Sequence, residues 1–171
     1  MHGGRNVHNQ HMTWWNCHNG QNQAWFVDTK GINYPTYPLK NGVFFQIKSR
    51  MAGHKALFWH EHIGGHQYRL RIRENNPVDI KQWWKFDTRT KTIRSKHNAK
   101  NAISNQAGQA FNRGKAAVIR AWKGQANQKT QWHGGKIRNI RNNGNLCLDV
   151  WGGKNVHNQH LTWWTCHNGA N

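Results

Sequence analysis

Residues 147–166 read CLDVWGGKNVHNQHLTWWTC, and most of this stretch occurs a second time at the other end of the chain. Residues 152–171, GGKNVHNQHLTWWTCHNGAN, repeat residues 3–22, GGRNVHNQHMTWWNCHNGQN, with four of the twenty positions changed. The two copies lie 149 residues apart, which is the length of a small domain and far longer than a hairpin or a single helical repeat. The repeat therefore concerns how one domain closes or how it meets another domain. It is too widely spaced to be a repeat of single strands.

The composition of the 171-residue chain indicates one domain whose core contains few, large side chains. A chain of this length can bury one core and leaves no room for two full domains. Hydrophobic residues make up only 36 %, but 11 of them are Trp, which is not typical of a disordered chain. No apolar run approaches the roughly 20 residues of a membrane span, and nothing near Met1 resembles a secretory signal.

The charge of the chain is strongly positive. Lys and Arg outnumber Asp and Glu by 25 to 6, which gives a formal net charge of +19. Such a charge favours polyanionic partners, namely nucleic acid, an anionic membrane or acidic glycans, and their binding should weaken with salt. Because the basic residues are scattered and form no unbroken tail, a solvated basic surface is the first interpretation, and a dedicated nucleic-acid face is the alternative.

Short runs with alternating apolar residues predict strands. Examples are residues 43–47, 68–72 and 146–150, and Gly and Asn residues separate such runs. Many short strands with turns of this kind favour a closed all-β fold. Residues 99–122 contain enough alanine for a helix, but Gly108 and Gly114 favour loops and short strands there.

A Gln and Trp pair ends each third of the unique 149 residues. The three sequences are Gln23-Ala24-Trp25, Gln82-Trp83-Trp84 and a disturbed version that runs from Gln128 to Gln131-Trp132. They predict three lobes of comparable length, formed by residues 137–151 plus 3–25, by residues 26–86 and by residues 87–136.

The duplicated segment bears on the domain boundary. Residues 1–151 supply every element once in a circularly closed order, so they are predicted to form the domain. Residues 152–171 would then be surplus and would engage a neighbouring domain or chain, because their Trp163 and Trp164 are too apolar to remain in water. If the C-terminal copy occupies the place of this segment in the closed domain, residues 1–22 are displaced from it.

The stretch that begins at Cys147 resembles one subdomain of the ricin-B-type lectins. The resemblance is carried by Cys147-Leu148-Asp149-Val150-Trp151-Gly152-Gly153, by residues 161–166 and by the tetrapeptide Asn22-Gln23-Ala24-Trp25. This family has a β-trefoil fold with one Gln-x-Trp in each of three lobes. The resemblance implies an all-β chain of that kind, with Trp25, Trp84 and Trp132 as structural residues of the core.

The resemblance also implies one sugar site, with a carboxylate that accepts hydrogen bonds from ring hydroxyls, an aromatic platform, amides that fix orientation, a close glycine and a polar residue where the family often has Gln. Asp149 matches the carboxylate, Trp164 or its duplicate Trp15 matches the platform, and Gly152 matches the close glycine. The amides are those of Asn22 with Gln23, and of Asn171 as the duplicate of Asn22. Thr162 or its duplicate Thr13 stands where the family often has Gln. The alternative is that Asp149 caps a turn and Trp164 fills a hydrophobic gap.

The other two lobes are predicted to lack a sugar site. In the second lobe, residues 44–47 replace the Cys-Leu-Asp-Val run, so Gln46 stands in place of the acid, with Trp59 as a remaining platform. In the third lobe, residues 102–104 take that place and Arg120 replaces the platform. One site per domain binds weakly, so useful avidity would require repeated domains.

The three cysteines reduce to two positions, because Cys17 and Cys166 are duplicates. The resemblance implies a disulfide between Cys147 and either Cys17 or Cys166, which leaves one thiol over. An odd cysteine suggests intermolecular pairing, a neighbouring repeat or a reducing compartment.

The sequence favours neither a metal site nor an enzyme. His60, His62 and His66 lie close together in a predicted loop without cysteine partners, which is a poor match to a zinc site. No phosphate-binding loop, nucleophile elbow or close pair of carboxylates is found, so no catalytic residue, cofactor or metal is predicted.

The combined prediction is a carbohydrate-binding domain without enzymatic activity that acts as a repeating unit of a self-associating or filamentous assembly, outside the cell or on its surface. Its partners would be glycans and other copies of the same unit. The alternatives are a basic trefoil that binds heparin, sulfated glycan or nucleic acid, and a structural polymer subunit that binds no sugar.

Overall fold

The computed structural model of the chain describes residues 23–29, 32–34, 42–106, 111–141 and 143–167. This part of the chain contains strands, turns and three short 3₁₀ helices at Ile80–Gln82, Ala126–Gln128 and Trp151–Gly153, and no α-helix. The strands are β1 (Trp25–Thr29), β2 (Ile32–Tyr34), β3 (Phe44–Ser49), β4 (Ala56–His62), β5 (Tyr68–Arg73), β6 (Trp83–Asp87), β7 (Thr92–Ser95), β8 (Asn101–Asn105), β9 (Lys115–Ala121), β10 (Thr130–His133), β11 (Lys136–Asn139), β12 (Leu146–Val150) and β13 (Leu161–Thr165). The predicted all-β class is confirmed, and residues 99–122 contribute strands as expected.

Twelve of these strands form three equivalent lobes of four antiparallel strands each. Lobe A contains β1, β3, β4 and β5. Lobe B contains β6 to β9, and lobe C contains β10 to β13. The lobes join through the pairs β3–β6, β5–β9 and β9–β13, so one continuous sheet closes around a shared core.

The strand register shows which residues are equivalent in the three lobes. Trp25 pairs with Ser49 in lobe A, and Trp84 pairs with Ser95 in lobe B. The corresponding pair in lobe C is Thr130 with Asn139. Thr130 therefore occupies the position of the first-strand tryptophan in the third lobe.

A buried glutamine two residues before each of these positions ties neighbouring lobes together. The Gln82 amide donates to the Glu74 carbonyl at 3.0 Å, and its Oε1 accepts from the Asn76 N–H at 2.8 Å. Gln128 makes the same two bonds, to Ala121 at 2.8 Å and from Lys123 at 2.8 Å. The third Gln-x-Trp is therefore Gln128-Lys129-Thr130, and the prediction that Trp132 is its tryptophan is wrong.

Trp132 is nevertheless buried in the core with Trp25 and Trp84, as a structural residue. The indole that replaces the missing one belongs to Trp163 in β13. The Nε1 atoms of Trp25, Trp84 and Trp163 donate to the carbonyls of Leu148, Leu57 and Ser104, each at 3.1 Å. The three acceptors lie on β12, β4 and β8, so each indole fastens the third strand of a different lobe.

The C-terminal copy of the duplicated segment supplies β13. β13 pairs with β12 on one side and with β9 on the other, so residues of the 152–167 stretch belong to the same closed sheet. In the structure, therefore, the C-terminal copy occupies the place between β12 and β9, and the domain extends beyond the boundary expected after residue 151. The physical reason is local, since β13 follows β12 directly as the second strand of a hairpin. The N-terminal copy, residues 3–22, lies outside the described residues.

The ends of the closed domain meet at Gln23. The Gln23 amide donates to the Thr165 carbonyl at 3.0 Å, and the His167 N–H donates to its Oε1 at 3.1 Å. These are the bonds that Gln82 and Gln128 make with chain segments continuous with them. Gln23 instead follows the N-terminal copy in sequence while it binds the C-terminal copy in space.

Candidate functional site

The β12–β13 hairpin has one face in the core and one face turned away from it. The inner face carries Leu148, Val150, Leu161 and Trp163, all fully buried in the core. Because side chains alternate along a strand, the outer face carries Cys147 and Asp149 on β12 and Thr162 and Trp164 on β13. The register sets Asp149 opposite Thr162 and Cys147 opposite Trp164.

Asp149 is a buried carboxylate that Gln23 holds in place. Its side chain is 4 % exposed, and Oδ2 accepts a hydrogen bond from the Gln23 amide at 2.7 Å. Gln23 thus joins the carboxylate to the lobe junction, because the same amide group also binds Thr165.

Thr162 has a buried hydroxyl that makes no hydrogen bond with any described residue. The residue is 3 % exposed, and Oγ1 lies opposite the carboxylate of Asp149 across the strand pair. An unsatisfied buried hydroxyl costs about 1–3 kcal/mol, so a polar partner at this point would be stabilising. The position is the one at which the ricin-B-type resemblance expected Gln.

Trp164 lies diagonally across from Asp149 and is only partly buried. The Arg113 guanidinium lies 5.1 Å from the centre of its ring. A Cβ on Gly114 would lie 3.3 Å from Cζ3 of Trp164, so this glycine allows the backbone to approach the ring. Trp164, the residue predicted as the platform, is thus contacted by the two residues that precede β9.

A second tryptophan, which the sequence reasoning did not select, borders the same face. Trp151 is 42 % exposed, and its ring makes an edge contact with Trp164 at 6.1 Å and stacks on His160 at 5.7 Å. The signal was its position directly after Val150, at the start of the turn that leaves β12. Exposed aromatic rings of this kind give a shallow apolar surface beside polar groups.

The remaining predicted site residues divide into two groups. Gly152 lies in the turn after β12 with φ +65°, and the nearest atom to a Cβ there would be 3.8 Å away, so backbone conformation rather than space requires glycine. The others lie outside the described residues: Thr13, Trp15, Asn22 and Asn171. The structure therefore brings together Gln23, Asp149, Gly152, Thr162 and Trp164 on or beside one hairpin.

A disulfide closes the far end of the hairpin. It joins Cys147 to Cys166, with 5.1 Å between the two Cα atoms. This is one of the two pairings that the resemblance implied. Cys17, the duplicate of Cys166, lies outside the described residues.

The equivalent positions in lobe A differ from those predicted, whereas in lobe B residues 102–104 and Arg120 stand where they were expected. The register places Ala56 of β4 at the position of Cys147, so Phe58, and not Gln46, stands where lobe C has the acid. Arg73 stands at the platform position, and its guanidinium lies 4.5 Å from the centre of the Phe58 ring. Trp59 is buried in the core and provides no platform.

In lobe B, Ser104 and Arg120 occupy these two positions. Arg120 donates to the Ser104 hydroxyl at 3.0 Å and to Gln125 at 2.7 Å, and burial lowers the pKa of its guanidinium. The two lobes therefore present packed arginines where lobe C presents an acid and an indole.

The described residues show no other candidate centre of the kinds considered from the sequence. They contain no group of three metal-ligand side chains, and His60 and His62 lie on β4 rather than in a loop. No helix among them is long and apolar enough to cross a membrane.

Solved structures match the chain in fold, whereas no protein-family model and no curated protein matches the sequence. A non-toxic homologue of type II RIPs from bitter gourd (Momordica charantia), in complex with α-methyl-D-galactoside, superposes with a TM-score of 0.55 and 19 % identity over 69 % of this chain. The chain is a β-trefoil. It spans 41 % of that homologue, which is less than half of its length.

Two further structures cover the β-trefoil over most of their own length. The ricin B-like lectin of Macrolepiota procera, in complex with lactose, has a TM-score of 0.54 and 16 % identity, over 78 % of this chain and 93 % of that one. The designed threefold-symmetric protein ThreeFoil has a TM-score of 0.55 and 14 % identity, over 68 % and 86 %. These likenesses establish the fold, and the structural neighbours include ricin B-like lectins.

Proposed function

We propose that this β-trefoil is a non-enzymatic carbohydrate-binding domain with one sugar site, on the outer face of the β12–β13 hairpin. The observation that carries the proposal is the register that sets Asp149 opposite Thr162 and diagonal to Trp164. A carboxylate, a hydroxyl and an aromatic ring within one strand pair match a pyranose, which has hydroxyls on its edge and C–H groups on its face.

The hydrogen-bonding groups and aromatic rings of the hairpin suit the hydroxyls and C–H faces of a sugar. Gln23 already orients the carboxylate at 2.7 Å, and the unsatisfied hydroxyl of Thr162 offers a further hydrogen bond. Trp164 and Trp151 provide the accessible apolar part of the site. Since two of the structural neighbours were solved with α-methyl-D-galactoside and with lactose, galactosides are the first ligands to test.

The test is a titration with α-methyl-D-galactoside and lactose, followed by tryptophan fluorescence and calorimetry. Asp149→Asn should abolish measurable binding while it keeps an acceptor for Gln23, and Trp164→Ala should do the same by removal of the platform. Glu74→Gln is the matched control, because it removes one carboxylate charge at an exposed position that is not on the outer face of the β12–β13 hairpin. Binding that Asp149→Asn leaves unchanged, in a variant that melts normally, would overturn the proposal.

We also propose that the two copies of the duplicated segment are alternatives for one place, called here the β13 position, between β12 and β9. Gln23 supports this, because it binds the C-terminal copy although it continues from the N-terminal one. Each chain has one such position and two copies, so exchange between chains leaves one copy per chain to pair elsewhere. That remaining copy is the proposed link for self-association into arrays or filaments.

The disulfide supports a location outside the cell or on its surface, since disulfides persist in oxidising compartments. A sugar site on a repeating unit suits such a location, because many weak sites gain avidity when they are linked.

A further inference from the structure

The outer surface of β3, β6 and β7 carries a row of cations and aromatic rings far from the β12–β13 hairpin in sequence. The register aligns Phe44 of β3 with Lys85 of β6 and Lys85 with Arg94 of β7. Lys96 follows β7, and its N–H donates to the Trp83 carbonyl at 2.8 Å. These five residues, Phe44, Trp83, Lys85, Arg94 and Lys96, are called the basic face.

The lysines of the basic face converge on the aromatic rings. The Lys85 ammonium lies 5.7 Å from the centre of the Phe44 ring, and the Lys96 ammonium lies 5.3 Å from the same centre. Lys96 also lies 5.3 Å from the Trp83 ring. Each contact is weakly favourable, but two like charges gathered on one ring repel each other. An anion between them would relieve that repulsion.

Carboxylates do not neutralise these lysines within the described part of the chain. Glu61, Glu74 and Asp79 form ion pairs with arginines or lysines of lobe A. Asp87 is the acid nearest the basic face, but its Oδ2 lies 3.5 Å from Nη2 of Arg94. Neither Lys85 nor Lys96 has an ion pair with a described carboxylate.

The Asp87 carboxylate also stabilises the β6–β7 turn. Its Oδ1 accepts from the N–H groups of Arg89 and Thr90 at 3.0 and 3.1 Å. Burial raises the pKa of this carboxyl, but the bonds from Thr90 and the charge of Arg94 outweigh burial and hold the pKa below its usual value. Asp87 is therefore an ionised structural group, and it leaves the excess positive charge with the lysines and Arg89.

An open cleft of about 440 Å³ lies beside this excess charge. Three cationic residues, Lys85, Arg89 and Arg94, line it together with Asp87, which is paired with Arg94, and the lining is completed by Gly42, Phe86 and Ala99. The polar, cationic lining suits the anionic groups of a chain that passes along the basic face.

We propose that the basic face and its cleft bind a sulfated or otherwise acidic polysaccharide, at a site separate from the Asp149 hairpin. Lysines are compact point charges that suit sulfate and carboxylate groups. Single-stranded nucleic acid is less well matched, because its bases require exposed aromatic faces for stacking, and here ammonium groups already lie against the rings of Phe44 and Trp83. The interaction does not depend on the neutral-sugar proposal.

The test measures binding of a heparin oligosaccharide by the full chain at two salt concentrations, about 50 mM and about 200 mM. Lys85→Gln combined with Lys96→Gln should weaken binding at low salt by about tenfold or more and make the salt dependence shallower. The control, Lys123→Gln with Lys129→Gln, removes the same net charge at another part of the surface and should change affinity by less than about twofold. Lys85→Arg with Lys96→Arg should retain binding, since it keeps both charges.

Three results would overturn the proposal. Equal losses in the Lys85/Lys96 and Lys123/Lys129 variants would mean that the overall charge, and no particular face, attracts the polyanion. Tighter binding of single-stranded DNA than of heparin, with the same dependence on Lys85 and Lys96, would assign the face to nucleic acid. Loss of heparin binding in Asp149→Asn would merge the two sites into one, whereas unchanged binding in that variant supports two.

Discussion

At the scale of single residues, the core of this β-trefoil is held by three indoles, of which only two come from equivalent positions. Trp25 and Trp84 occupy the same position in the first strands of lobes A and B, while Thr130 takes that position in lobe C. Trp163, from a fourth strand, supplies the missing hydrogen bond to lobe B at 3.1 Å. Pseudo-threefold symmetry is thus kept in the contacts rather than in the sequence.

The hydrogen bonds of these indoles should be measurable. Trp84→Phe keeps an aromatic ring but leaves the Leu57 carbonyl buried without its donor, so it should lower the free energy of unfolding by about 1–3 kcal/mol beyond the effect of lost volume. Trp132→Phe is the comparison, because the Trp132 indole makes no hydrogen bond with a described residue. Urea denaturation of both variants measures the difference, and equal losses would contradict this role for the Trp84 N–H.

His160 gives the domain a predictable response to acid. Burial is the main reason that its pKa lies below the ordinary 6.5, and the charges of Arg69 and Arg71 lower it further against the opposite effect of Glu61. The unfolded chain therefore takes up this proton first. Stability from this group is complete above pH 6.5 and falls as the pH is lowered from there towards the folded-state pKa.

His160→Gln should remove that part of the pH dependence. Thermal unfolding of the native chain and the variant between neutral and mildly acidic pH compares the two slopes. If both lose stability equally on acidification, the proton uptake does not occur at His160.

At the scale of elements, each lobe junction depends on a buried glutamine more than on a tryptophan. Gln128→Leu should cost about 2–4 kcal/mol, since it leaves the Ala121 carbonyl and the Lys123 N–H without their partner. Gln131→Leu, in the same stretch, should cost much less. Chemical denaturation distinguishes them, and a larger loss for Gln131→Leu would restore Gln131-Trp132 as the third motif.

The strands were largely predictable from the sequence, whereas their equivalence between lobes was not. Alternating runs predicted β3, β5 and β12 because half-buried strands require that period. The same periodicity suits several strands equally, so the sequence predicts Gln46 in β3 as the counterpart of Asp149, whereas the register assigns that place to Phe58 in β4. Only pairing partners, which lie far away in sequence, decide between such strands.

The placement of Asp149 and Trp164 on one strand pair was the most predictable part of the candidate site, because both lie in the one stretch whose motif is intact. What the sequence could not show was the burial of Asp149, its bond to Gln23 and the contact of Trp151 with Trp164. These depend on where Gln23 meets the hairpin at the lobe junction and on where the turn after β12 places Trp151.

At the scale of the whole molecule, our proposal is that the duplicated segment gives the chain two ways to close. The C-terminal copy fills the β13 position in the structure, and Gln23 hydrogen-bonds to it although Gln23 directly follows the N-terminal copy in sequence. From sequence alone the two copies were indistinguishable, because Trp14 and Trp163 lie at the same place in identical Thr-Trp-Trp runs.

Interchangeable copies predict non-additive mutations. Trp163→Ala alone should cost about 1 kcal/mol or less, because the N-terminal copy can supply Trp14, whereas the double variant with Trp14→Ala should lose about 3–5 kcal/mol. Trp84→Ala serves as the reference for an indole without a duplicate. A full loss in Trp163→Ala alone, measured by urea denaturation, would show that the N-terminal copy cannot take the β13 position.

The most direct test of the sugar site is an NMR titration of the isotope-labelled chain with lactose. The proposal predicts that the indole N–H signal of Trp164 and the amide signals of Asp149 and Thr162 shift in a saturable manner, while those of Trp83 and Lys85 on the basic face stay unchanged. Asp149→Asn should abolish the shifts. Shifts confined to any other lobe, or shifts on the β12–β13 hairpin that persist in Asp149→Asn, would contradict it.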